Sequence, residues 1–125
     1  MNSNIIKNLL LSTVLILVID SVYLKTYGPL FHTLIKNIQG TELKLNLYGA
    51  FFSYLCIVVL FNYFVIYKNA SLFEAFLLGF LTYGIFEGTN KALFSKWTTN
   101  VMIIDSLWGG LLFTIVLYIL KHIKL

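Results

Sequence analysis

The sequence predicts an all-α fold, an integral membrane four-helix bundle, from three observations. The chain is 59% hydrophobic and only 11% charged over 125 residues, against about 25% charged in ordinary soluble domains. Its apolar residues gather into four runs, each close to the about 20 residues that a helix needs to cross about 30 Å of hydrocarbon. Lipid offers no hydrogen bonds to peptide groups, so such runs satisfy their own backbone as helices. A soluble core of this size needs a polar surface that so few charges do not make.

The first span is read over residues 5–24. Lys7 ahead of the run 9–19 has the outline of a signal peptide. No small-x-small cleavage site follows, so an uncleaved transmembrane helix is expected. The connection 25–44 is the long one. Pro29 suits a first helical turn, Leu30, Phe31, Leu34, Ile35 and Ile38 recur at helical spacing, and Gly40 suits a stop. A short amphipathic helix is therefore expected between the first two spans, lying at the interface or folding over the bundle.

The second span is read over 45–67 and the third over 71–94. The connection between them is so short that the two helices are expected to be antiparallel neighbours. Ser71 and Glu74 fit a capping box, which explains Glu74 without any functional role. Thr98, Thr99 and Asn100 are cap candidates for the fourth span, 101–120. Tyr23, Tyr27, Tyr48, Tyr67, Trp97 and Tyr118 fall near helix ends, as interfacial anchors do. No repeat or linker divides the chain, so one domain over 1–125 is expected.

Charge narrows the function classes. The net charge is +4, and all nine basic residues are lysines scattered through ends and connections. A nucleic-acid reader would concentrate them on one face, usually with arginine, so no nucleic-acid partner is expected. The side bearing the chain ends would carry Lys7, Lys68, Lys121 and Lys124, and the other Lys25, Lys36, Lys44, Lys91 and Lys96. That near balance selects neither an orientation nor a particular membrane. Cys56, a lone thiol in an apolar run, reads as inert packing. No cofactor is implied.

Asp20, Glu87 and Asp105 carry the functional argument. Each lies inside an apolar run, where a charge costs roughly 2.5–3.5 kcal/mol on insertion scales and usually faces a protein interior or a pathway. With four spans, all three fall near the same membrane face, about 6–11 Å inside the predicted helix ends. They are expected to converge in one shallow polar chamber. Tyr83, Glu87 and Asn90 share a face of the third helix, and Asp105 and Trp108 share a face of the fourth. Thr89 and Ser106 are polar neighbours. Gly84 and Gly88 form a small-xxx-small pair that admits a neighbouring helix, and Gly109 and Gly110 offer similar access.

A structural alternative stands beside this reading. Asp20 and Asp105 would reach interfacial water, Asp105 would suit the positive end of the fourth helix, or Lys91 or Lys96 would pair with a carboxylate. Catalytic motifs are lacking: there is no H-E-x-x-H, Cys-x-x-Cys, G-x-S-x-G or phosphate-binding glycine loop. An enzyme is the less expected class. His32 lies on the side of the acids and is a weaker candidate. His122 with Lys121 and Lys124 reads as a basic helix terminus. The metal question stays open; carboxylates alone would favour a hard cation.

The runs G-I-F-E-G-T-N from Gly84, Lys96-Trp97, and I-D-S-L-W-G from Ile104 resemble the domain-of-unknown-function 2177 family of small membrane proteins. That family commonly shows a tyrosine-aspartate-leucine-threonine-asparagine run, a tryptophan, and an aspartate-x-x-tryptophan-glycine run. Asp20, in I-D-S-V-Y, matches its first-helix aspartate. The resemblance covers nearly the whole chain. It departs at Phe86-Glu87, where the family usually has tyrosine and aspartate; the extra methylene makes tight metal geometry there less secure. The resemblance implies a four-helix membrane fold and points to Asp20, Glu87, Thr89, Asn90, Asp105 and Trp108. It implies no activity.

Three functions compete. The first is a proton- or cation-linked transporter or ion pathway using the acids. Four helices make a thin wall and there is no internal repeat, so a homo-oligomer is expected, a dimer favoured. The second is a protein that binds or modifies a lipid or other amphiphile, with Trp108 and Trp97 as an apolar wall beside acid/base groups. The third is a non-catalytic assembly subunit of the membrane. The lipid bilayer is the partner common to all three, and the first two add a small molecule or cation.

Overall fold

The computed structural model describes residues 3–123. It contains helix α1 (Ser3–Gln39), helix α2 (Leu47–Phe61) continued by a π-helical turn (Asn62–Tyr67), helix α3 (Leu72–Leu93) and helix α4 (Thr99–Ile123). All four are long and apolar enough to cross a membrane.

Helix α1 departs from expectation. Its 37 residues extend about 55 Å, so the amphipathic segment is its continuation rather than a separate helix. Pro29 lies inside it, although proline removes a hydrogen bond and crowds the carbonyl four residues back, at about 3 kcal/mol. Packing offsets that cost. Ser12, Ile16, Asp20, Tyr23 and Leu34 are buried, and Phe31, Ile35 and Ile38 half-buried, along one face on both sides of Pro29. Leu34 packs with Trp97 and Val101, and Lys96 Nζ donates to the Asn37 carbonyl at 3.0 Å. The amphipathic end of α1 thus folds over the α3–α4 connection. Gly40, at φ +80°, ends the helix, its N–H reaching the Lys36 carbonyl at 2.8 Å.

The later helices start where local chemistry directs. Asn46 caps α2, its side-chain oxygen accepting from the Tyr48 and Gly49 N–H groups at 3.0 and 3.1 Å. Ser71 and Glu74 form the reciprocal capping box of α3. Asn69 takes the left-handed conformation in the tight turn before it (φ 55°). The Val101 N–H bonds Thr98 Oγ1 at 3.2 Å near the start of α4.

Helix α4 is the hub. Half of its most apolar window is buried inside the protein, against 17% for each other span. It packs most closely on α3, then on α1. Two glycines let the α3 and α4 backbones touch: a Cβ on Gly79 would collide with the Gly109 carbonyl, and one on Gly109 would come within 2.5 Å of the Gly79 carbonyl. Van der Waals contact of this kind drives helix association in lipid, where no hydrophobic force does. The expected pair behaves differently. Gly84 meets Ser106 Oγ at ordinary distance and Gly88 meets nothing.

The short turn leaves α2 and α3 antiparallel, but each packs mainly elsewhere. Val58, Phe61 and Val65 of α2 and its π turn join Ile16, Phe113, Val116 and neighbours in the main core, with Phe61 edge-on to Phe113 at 5.3 Å. The first half of α2 presents Tyr48, Phe51 and Phe52 outward, as lipid requires. Cys56 is also exposed on this helix. It was expected as buried packing, and an apolar run in a membrane protein is as readily a lipid face as a core.

Candidate functional site

Asp20 on α1, Glu87 on α3 and Asp105 on α4 are all buried, at 6%, 0% and 7% exposure. Glu87 lies about 9 Å before the end of α3 and Asp105 about 9 Å after the start of α4, whereas α1 runs on for about 28 Å beyond Asp20. Burial of three acids in a lipid-facing chain calls for partners, and here these are aromatic. Trp108 Nε1 donates to Asp20 Oδ1 at 2.8 Å, and the Tyr54 hydroxyl donates to Asp20 Oδ2. The Tyr23 hydroxyl donates to Asp105 Oδ1 at 3.0 Å. Trp97 Nε1 donates to Glu87 Oε1 at 2.8 Å.

These bonds tie the molecule together. Asp20 joins α1 to both α2 and α4, and Tyr23 joins α1 to α4 again. Glu87 joins α3 to the connection before α4. Glu87 on α3 and Asp105 on α4 stand on the two helices that pack most closely, near enough to influence each other electrostatically. Glu87 Oε2 is buried and meets no hydrogen-bond donor.

Among the described residues no lysine bonds the acids. Lys91 Nζ bonds the Trp97 carbonyl at 2.9 Å and Lys96 the Asn37 carbonyl, so the alternative in which either pairs with an acid does not hold. The ion pair among the described residues, Lys36 with Glu42 at 3.0 Å, is exposed at the end of α1.

An aromatic ladder stands beside the acids. Tyr23 and Trp108 stack with centroids 4.5 Å apart and planes 1° from parallel, and Tyr27 lies against Tyr23 at 5.2 Å. The ladder lines a groove of about 410 Å³ between α1 and α4, completed by Val22, Thr26, Ile104, Leu107 and Leu111. Tyr23 and Trp108 therefore show the groove their rings and the acids their donor groups. Tyr83 lies half-buried against Gly109.

Other candidates sit apart. Thr89 is exposed and Asn90 half-buried, and neither bonds the acids. His32 is exposed on the extension of α1, about 18 Å along the helix from Asp20. Among the described residues no three His, Cys, Asp or Glu side chains converge as a metal site would require. Tyr23 and Trp97, expected as interfacial anchors, are buried at 5% and 4% exposure. Their position near helix ends suits an anchor or an inward donor equally. Tyr54 was not singled out at all; only its place on α2 opposite Asp20 reveals it.

The fold defines a multi-pass α-helical membrane protein, and three of its spans each carry a buried acid. The family model described as "Predicted membrane protein (DUF2177)" matches residues 5–119, and the chain belongs to this family. No curated protein and no solved structure matches it.

Proposed function

We propose that the protein is a small proton- or cation-linked transporter or ion pathway, with Glu87 and Asp105 as the pair that takes up and releases a proton. The observation carrying this reading is Glu87 Oε2, fully buried without a donor on the helix that packs against the one bearing Asp105. A purely structural buried acid is ordinarily matched by a cation or a full set of donors. Among the described residues these acids have neutral aromatic donors and no lysine, which leaves the cluster able to exchange a proton or accept a positive charge. Asp20, held by Trp108 and Tyr54, stands beside the pair as a third acidic group. A homodimer is part of the proposal, because one four-helix chain makes a thin wall around any passage.

The test is proton movement in liposomes holding purified protein, with a trapped pH dye and an imposed gradient. Wild type is expected to dissipate the gradient, Glu87→Gln and Asp105→Asn to lose at least about tenfold in rate, since each removes a proton carrier from the pair. The solubilised protein is expected to have the mass of two chains after detergent correction. Equal rates in wild type and in correctly folded variants would overturn the proposal; a monomeric mass would remove the dimer from it.

A further inference from the structure

We infer that the groove between α1 and α4 binds a lipophilic monovalent cation, an ammonium or phosphonium whose charge is spread over apolar groups. This rests on the reading of the acid cluster as a negative site without a resident cation, and it names the class of ligand that site takes.

Three observations converge. The groove is about 410 Å³, within the range of small-molecule sites. Its outer residues Val22, Leu107 and Leu111 are exposed along spans that face lipid, so a ligand enters from the bilayer and has an apolar body. Its inner wall is the Tyr23–Trp108 stack with Tyr27 beside it, and aromatic faces attract cations, tryptophan most strongly.

The charge behind that wall selects the sign. Trp108 and Tyr23 donate to Asp20 and Asp105. A ring that donates its proton toward a carboxyl becomes richer in electron density, which strengthens its attraction for a cation. Among the described residues no lysine bonds these acids (Lys91 and Lys96 are held by carbonyls). Glu87, at 0% exposure with Oε2 lacking a donor, adds a further buried acceptor on the neighbouring helix α3. A metal ion is the poorer fit, because only Thr26 and Tyr27 offer side-chain oxygen to the groove, Tyr23 turning its hydroxyl to Asp105, and hard cations take six or more oxygen ligands. Proton and organic cation then bear on one set of carboxyls, so each is expected to weaken the other, by reciprocal linkage.

The test is equilibrium binding of tetraphenylphosphonium to the full chain in detergent, with tetraphenylborate as a probe of equal shape and opposite charge. Saturable phosphonium binding is expected, with no saturable borate binding. Trp108→Phe keeps a ring but loses the bond to Asp20, Tyr27→Leu removes a wall ring that bonds no acid, and Asp105→Asn removes charge. Each is expected to weaken phosphonium binding about tenfold, the scale of a desolvated cation–π contact. Circular dichroism checks that each is folded, and Tyr27→Leu keeps the test valid if the acid-bonded variants do not fold. Equal binding of both ions, or phosphonium binding indifferent to Tyr27→Leu and Asp105→Asn, would overturn the inference. The proton measurement is made without phosphonium, so the two claims fail separately. Acid-dependent proton movement with no phosphonium binding sinks the ligand alone. Phosphonium binding without proton movement sinks the transport reading and leaves a cation-binding groove.

Discussion

Valine in place of Gly79 is expected to force α3 away from α4 and to cost the fold about 3 kcal/mol, the upper end for an overpacked core. The reason is backbone meeting backbone. A Cβ at Gly79 collides with the Gly109 carbonyl and approaches Phe113, and a carbonyl inside a helix has no rotamer by which to yield. The same pair of helices carries Glu87 and Asp105, so separation also parts the two carboxyls. Gly88→Ala is the matched control, since nothing lies within 4 Å of a Cβ there. Unfolding in mixed detergent, followed by circular dichroism, should show a large loss for Gly79→Val and little change for Gly88→Ala. Similar behaviour of the two variants would contradict the close α3–α4 contact.

Asp20→Ala should give the second large effect. It strands the Trp108 N–H and the Tyr54 O–H together and releases α1 from α2 and α4. Interhelical hydrogen bonds in membranes are worth about 0.6 kcal/mol on average and about 1.7 at most, so the pair should contribute about 1–3 kcal/mol. Asp20→Asn retains a carbonyl oxygen and should lose roughly half as much. The same unfolding measurement checks both, and emission from Trp108 should change in both. An Asp20→Ala protein as stable as wild type would show that Asp20 does not fasten the three helices.

The spans were legible because membrane length and apolarity leave few alternatives, and the caps at Ser71 and Gly40 because their chemistry is local. The continuity of α1 was not. Pro29 reads as a helix start, and what carries the helix through it is Leu34 packing on Trp97 and Val101, more than 60 residues away in sequence. The three acids stood out by their cost in lipid. Their donors did not: Tyr23 and Trp97 occupy positions equally natural for lipid anchors, and Tyr54 has no local mark. Gly79 was missed although Ala75 and Gly79 themselves form a small-xxx-small pair on α3. Ala75 is fully buried, and that spacing is the signal that would have found the contact. Gly84 and Gly88 drew attention instead because they flank Glu87.

The central claim is that Glu87 and Asp105 act on one shared proton. Infrared difference spectroscopy through a pH titration tests it most directly, comparing wild type with Glu87→Gln and Asp105→Asn in folded protein. If the two carboxyls share a proton, they titrate as a pair, and replacing either one shifts both the position and the midpoint of the other's carboxyl band. If each substitution merely deletes its own band and leaves the remaining carboxyl titrating as in wild type, the two groups are independent and the claim is wrong.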